Sequence, residues 1–143
     1  MEGDFPILIN LEAGADRAYM EAIRKKLIAF NEGATGKENH AELFFSARSA
    51  GGELVGGLIA AIYWHTLHVD VIWTEVGYRG KGIASRLLRE AEKEALAKGC
   101  KLAILETFDF QAPAFYLKQG YVQVGQIDDY PKGHTKFIFR KAL

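Results

Sequence analysis

The chain has 143 residues, 49% of them hydrophobic and 25% charged, with 18 basic side chains set against 18 acidic ones. Residues 1–143 therefore suit a single domain whose core needs neither disulfide nor metal. Zero formal net charge argues against a nucleic-acid binder working through bulk positive charge, and no apolar run reaches the roughly 20 residues of a membrane-spanning helix.

The opening "MEGDFPILIN" lacks the positive n-region and long apolar h-region of a secretory signal, so a cytoplasmic protein is expected. Within it, "FPILIN" (residues 5–10) reads as a first strand. From Asp16, a candidate N-cap, the apolar residues Tyr19, Ile23, Leu27 and Phe30 recur at helical spacing. "NEGATGKENH" (31–40) has no apolar period and carries two glycines; it reads as a loop able to shape a binding site. "AELFFSARS" and "ELVGGLIAAIYWH" flank "AGG" as a hairpin, and "LHVDVIWT" follows a short turn at His65 and Thr66, so these three strands should run antiparallel.

Ile83, Leu87, Leu88, Ala91, Ala95 and Leu96 then form the apolar stripe of an amphipathic helix over 83–98, stopped by Gly99. Cys100 reads as a small core residue rather than a reactive thiol, and Trp64 and Trp73 read as core too. "KLAILET" (101–107), reached through a helical crossover, should lie parallel to "LHVDVIWT". A short helix from Pro113 and a closing hairpin, "YVQVGQI" and "HTKFIFRK" about "DDYPKG", complete the chain, with Asp128 and Asp129 as turn residues.

The loop "EVGYRGKGIASR" poses an electrostatic question. A helix N-terminus carries about half a positive charge, yet Arg79, Lys81 and Arg86 crowd this one. Its two glycines permit close backbone approach, and the first amides of the helix point outward without partners. Both features make sense if an anion such as phosphate binds there. The stretch is not the GxxxxGK[ST] loop, and the dinucleotide fingerprint would need a glycine where Ser85 stands and a parallel sheet before it.

Arg79, Gly82 and Ala84 match the pattern Q or R, two residues, G, one residue, then G or A. Ala112, Phe115, Tyr116, Gly120 and Tyr121 in "QAPAFYLKQGY" match a second pattern of A, two residues, L or F, then Y, with G and an aromatic after it. Over nearly its whole length the chain thus resembles the GNAT superfamily of N-acetyltransferases. The resemblance implies an α/β (α+β) fold with a mixed, mostly antiparallel central sheet and helices on both faces. It also implies acetyl-coenzyme A as acetyl donor, its pyrophosphate on the backbone of Arg79, Gly80, Lys81, Gly82, Ile83, Ala84 and Ser85. The pantetheine arm would enter between splayed ends of the two parallel strands and pair near Trp73 and Thr74, a bulge opening the strand end. Asp109 stands where the family often has Asn, and a carboxylate cannot donate to the pantetheine arm as an amide does.

Acetyl transfer to an amine asks for a neutral nucleophile, a stabilised oxyanion and a proton for the departing thiolate. An alkyl ammonium with pKa about 10.4 must lose its proton first. Alternation puts His68, Asp70, Ile72 and Thr74 on one face of "LHVDVIWT". By the resemblance Asp70 holds a position often carrying a carboxylate; roles as base, as anchor for a cationic substrate and as structural carboxylate are all open to it. Tyr116 falls where the family places the tyrosine that protonates the thiolate, and a backbone amide near Thr74 would meet the oxyanion. Tyr63, His68 and Tyr130, with the loop 31–40, are candidate walls for the acceptor. No metal is expected, since no ligand set shows metal-site spacing. The expected acceptor is the primary amine of a small molecule, attacked directly in a ternary complex. The resemblance suggests a homodimer, and the alternative function is a non-catalytic coenzyme-A-binding sensor of the same fold.

Overall fold

The computed structural model describes residues 5–14 and 16–143. They belong to two compact units, Met1–Lys37 and Glu38–Leu143. In the first, helix α1 (Arg17–Thr35) starts where the Asp16 carboxylate accepts the N–H groups of Ala18 and Tyr19 at 3.0 and 3.3 Å. Such a cap is worth about 1 kcal/mol. The helix runs on through Gly33 and ends at Gly36, whose N–H donates to the Glu32 carbonyl. Residues 31–35, expected as loop, are therefore helical: an interior glycine costs about 1 kcal/mol but removes no backbone hydrogen bond. Residues 5–10, expected as a strand, lie in no helix or strand. An alternating apolar segment becomes a strand only beside a partner, and the only regular element described in this unit is a helix.

The second unit is a six-stranded sheet with its helices. Strands β1 (Ala41–Arg48), β2 (Leu54–Tyr63) and β3 (Thr66–Thr74) form an antiparallel meander. Helix α2 (Ile83–Ala97) crosses over to β4 (Leu102–Phe108), which runs parallel to β3. After α3 (Pro113–Lys118) come β5 (Val122–Asp128) and β6 (Thr135–Ala142), giving the order β1-β2-β3-β4-β6-β5. The expected topology of this half of the chain is thus present, including the parallel pair.

The core lies between the sheet and α2. Leu87, Leu88, Ala91 and Ala95 pack on Leu58, Ala60, Leu67, Ala103 and Phe139, with Cys100 buried among them. Leu96, at 52% exposed, lies outside the stripe assigned to it, because it sits one position round the helix from Ala95. Helix α3 packs on the same face: the Tyr116 ring lies 5.9 Å from that of Tyr121, whose hydroxyl donates to Glu92 of α2. The β2–β3 turn is made by Trp64 and His65, both with positive φ, one residue earlier than expected. Trp64 is consequently 42% exposed and not a core residue.

A single irregularity in β3 decides the geometry of everything that follows. Val69 pairs with Ala60 and Val71 with Ile59, so Asp70 has no partner on β2 and forms a bulge. A bulge adds one residue to one strand and inverts the facing of all residues beyond it. Leu67 and Val69 face the core before it; after it Ile72, opposite Leu58, faces the core and Trp73 does not. The simple alternation that grouped His68, Asp70, Ile72 and Thr74 on one face is therefore wrong: Ile72 and Thr74 share the α2 face, and His68 lies on the other. Trp73, expected in the core, is 53% exposed for the same reason.

Candidate active site

β3 and β4 are paired only from Thr66 to Val69 and from Leu102 to Leu105. Beyond the Asp70 bulge β3 stays with β2 as far as Thr74, and β4 stays with β6 as far as Phe108. The two parallel strands thus part company inside the sheet and open a wedge. Extra twist at a bulge supplies the physical cause.

On the α2 face of the wedge lies the glycine loop. Gly80 and Gly82 have φ of 76° and 77°, a region that favours glycine, and a Cβ at either position would meet nothing within 4 Å. The first intrahelical bond of α2 runs from Arg86 N–H to the Gly82 carbonyl. The N–H groups of Ile83, Ala84 and Ser85 precede it and lack helical acceptors, an arrangement that can receive an anion. Ser85 also ties this loop to α3, its hydroxyl reaching Gln119 Oε1 at 3.4 Å. Tyr116 on α3 is thereby brought to the same face as the free amides, and burial pushes its phenol above the usual range.

The basic side chains are disposed differently from the amides. Arg79 turns back: its Nε donates to the Thr74 carbonyl at 3.0 Å and its guanidinium lies 4.6 Å from the Trp73 ring centre. Lys81 Nζ lies 5.4 Å from the ring centre of Tyr78. Arg86 lines a separate cavity of about 530 Å³ between α2 and β1, with Arg48 and Arg89. Backbone amides rather than salt bridges are thus the free groups of this loop.

Among the described residues, the buried side-chain polar atoms without a hydrogen-bond partner are Thr74 Oγ1 and His68 Nε2. Both belong to β3, one on each side of the bulge. Buried polar atoms without a partner are uncommon in native proteins, and these two lie on one strand. Thr74 Oγ1 lies on the face of the free amides.

Thr74 also faces Gly56 across β2, where a Cβ would stand 2.8 Å from the Trp73 carbonyl oxygen. Gly56→Ala must displace the end of β3. The expected result is a roughly tenfold weaker Kd for coenzyme A, corresponding to the low end of the cost of overpacking, measurable by calorimetric titration.

The opposite face of the wedge opens into a second cavity, of about 590 Å³. Tyr63, His68 and Asp70 line it, with His40 from the end of the 31–40 segment that the sequence reading also singled out, together with Glu106, Phe108, Gln111 and Lys136, which that reading did not select. Strand alternation in "LAILETF" carried the signal for two of these, since Ile104, Glu106 and Phe108 share the face away from the buried Ala103, Leu105 and Thr107. Burial pushes the His68 imidazole below its usual range, against the charge of Asp70, so the ring is neutral at neutral pH. The Lys136 ammonium is paired with Glu106.

Tyr130 is one ring further out, 5.8 Å from Phe108. Asp109 closes the end of β4 onto the last hairpin: Oδ1 meets His134 Nδ1 at 2.9 Å and Oδ2 accepts the Thr135 N–H at 3.0 Å. Asp128 and Asp129 serve the hairpin, Asp129 by accepting the Gly133 N–H at 2.8 Å. Among the described residues no cluster of three or more His, Cys, Asp or Glu side chains could hold a metal, and no helix is long and apolar enough to cross a membrane.

Free helix amides on one side of a sheet, a lined cavity on the other and a wedge joining them allow two reactants to meet from opposite faces, as a coenzyme-A-dependent acyltransferase requires. Comparison with known proteins agrees. The profile of the Acetyltransferase (GNAT) family matches residues 11–121. Blasticidin-S acetyltransferase of Streptomyces morookaense is 46% identical over 93 residues, which make up 64% of this chain and 68% of that protein. The crystal structure of an acetyltransferase from Bacillus cereus superposes with a TM-score of 0.86 at 36% identity, covering 94% of this chain and 98% of that one. At the level of fold, the PaiA N-acetyltransferase of Thermoplasma acidophilum, in complex with coenzyme A, gives a TM-score of 0.63 at 22% identity, with 92% and 81% covered. The chain belongs to the GNAT acetyltransferase family, whose members use acetyl-coenzyme A as acyl donor.

Proposed function

We propose that this chain acetylates a primary amine of a small molecule, by direct attack within a ternary complex in which donor and acceptor enter the wedge from opposite faces. The wedge at Asp70 is the observation that carries this reading: β3 and β4 separate one residue after Val69, with free amides on one side and the cavity on the other. The backbone amides of Ile83, Ala84 and Ser85 hold the pyrophosphate, and Trp73 and Thr74 offer the strand end to the pantetheine arm. Acetyl-coenzyme A supplies the acyl group as a thioester. Asp70, exposed at the bulge, attracts the ammonium and takes its proton directly or through water, while Tyr116 donates to the sulfur side. Tyr63 and His68 wall the acceptor.

The similarity to a blasticidin-S acetyltransferase makes blasticidin S the first acceptor to try. The test follows thiol release from acetyl-coenzyme A across blasticidin S and a panel of simple primary amines. Release with at least one is expected. Coenzyme A at 100 times its Kd should also stabilise the fold by about 2.7 kcal/mol, read as a rise in Tm. Stabilisation without release from any amine would leave a coenzyme-A-binding module and overturn the catalytic reading. The expected setting is the cytoplasm, with a homodimer as the assembly to check by sedimentation equilibrium.

A further inference from the structure

Arg79 opens the glycine loop, where its positive charge suggests a ligand for phosphate. Its side chain is committed elsewhere. Nε donates to the Thr74 carbonyl at 3.0 Å, and the guanidinium carbon stands 4.6 Å from the centre of the Trp73 ring. A guanidinium donating to a carbonyl makes a charge-assisted bond, about twice as strong as a neutral one, and its place over the indole adds to the hold.

The direction of the Thr74 carbonyl gives this bond its meaning. Glu75 N–H donates to the Val55 carbonyl of β2 at 2.8 Å, and Thr74 is the register partner of Gly56. In an antiparallel ladder, residues that bond a given neighbour alternate with residues whose backbone groups point the other way, so Thr74 turns its N–H and C=O away from β2. That side is the wedge, because β3 and β4 are paired only as far as Val69 and Leu105. An arm entering there as an added strand meets the backbone of Thr74.

The loop keeps its shape by other contacts. Tyr78 N–H bonds the Glu75 carbonyl, Arg79 N–H bonds that of Val76, and Ser85 reaches Gln119. The strand end is different: β3 stops at Thr74 with β2 on one side and no paired strand on the other, so Arg79 supplies there the lateral support that β4 gives to earlier residues.

We propose that Arg79 is a positioning residue for the pantetheine arm. Its side chain is a strut that fixes the end of β3 and occupies the Thr74 carbonyl, so that the arm pairs with the Thr74 N–H in one register; its charge is not a ligand for the phosphates. This inference rests on coenzyme A occupying the wedge and adds the residue that shapes the strand end to receive it.

The experiment titrates the protein calorimetrically with coenzyme A and with two parts of it: pantetheine, the arm without phosphates, and adenosine diphosphate, the phosphates without the arm. Arg79→Met should weaken pantetheine and coenzyme A by about tenfold, the scale of one hydrogen bond to a charged group, and leave adenosine diphosphate unchanged. Arg79→Gln should recover most of the loss, because its amide nitrogen sits at the same number of bonds from Cα as Arg Nε and donates without a charge, where Met has a methyl group. Weaker adenosine diphosphate with unaltered pantetheine would make Arg79 a phosphate ligand and overturn the proposal. Equal weakening of both parts, no change in either, or a Gln variant no better than Met would overturn it too. Thiol release from acetyl-coenzyme A is scored separately. The expected affinities in a protein that acetylates no amine would refute catalysis and leave the strut standing; turnover with equal weakening of both parts would do the reverse.

Discussion

Replacing Tyr116 by phenylalanine is expected to lower kcat for acetyl transfer by about 100-fold, or roughly 3 kcal/mol, with little change in the affinity for coenzyme A. The ring should stay where it is. It packs between Phe115, Tyr121 and Phe139 at centroid distances of 5.1, 5.9 and 6.2 Å, and those contacts need no hydroxyl. What is lost is the donor. Burial raises the phenol above its ordinary value near 10, so it stays protonated throughout the neutral range, whereas a thiol titrates at about 8.5. The phenol is therefore held in its donor form, as expected of a group that gives a proton to the sulfur as charge develops there. A consequence for the pH profile follows from the sign: deprotonating Tyr116 requires a pH above 10, so an alkaline limb below that value would belong to another group. Steady-state thiol release and calorimetric titration of coenzyme A, run on the same preparation, check both halves of the expectation. A variant with unaltered kcat would remove Tyr116 from the chemistry.

Lys141→Met should destabilise the fold by about 3 kcal/mol, a fall in Tm on the order of 6–12 °C. The Glu92 side chain of α2 is only 8% exposed, and its two oxygens accept from Lys141 Nζ on β6 at 3.0 and 2.9 Å. Without the lysine, the buried carboxylate keeps, among the described residues, the weak bond from the Tyr121 hydroxyl at 3.4 Å. Glu92→Leu should cost less, because the Lys141 side chain is 28% exposed and can turn its ammonium to water. The double variant Glu92→Leu with Lys141→Met should recover most of the loss, since an apolar pair of similar size escapes the desolvation penalty. Thermal unfolding of the three variants gives the coupling directly. The pair matters to the site as well as to stability: Glu92 and Tyr121 hold α2 and the start of β5 together, and Tyr121 is the ring against which Tyr116 rests.

Much of the fold could be read from local pattern. The hairpin around "AGG", the amphipathic stripe of α2, its stop at Gly99 and the parallel return of β4 depend on periodicity and on glycine or proline at particular places, which are properties of neighbouring residues. The glycine loop before α2 was legible for the same reason, since Gly80 and Gly82 lie within one short stretch; the directions of Arg79, Lys81 and Arg86, which turn to Trp73, Tyr78 and a separate cavity, were not. By contrast, the extended reading of residues 5–10 assumed a partner strand, and the early end given to α1 treated Gly33 as a stop when it is only a weak helix former.

By itself the sequence determined the family, the order of the elements from Ala41 onward and the glycine loop that opens α2, because each rests on residues close together in the chain. Only the tertiary structure decided which residues line the cavity on the face away from α2. The bulge at Asp70 is a mismatch in count between β2 and β3, invisible in either strand alone, and it reverses the facing of Ile72, Trp73 and Thr74. The cavity likewise joins His40, Tyr63, His68, Glu106 and Lys136 from five places in the chain. Pairing across the sheet, with its long loops closed at an entropic cost that core burial offsets, sets such neighbours side by side.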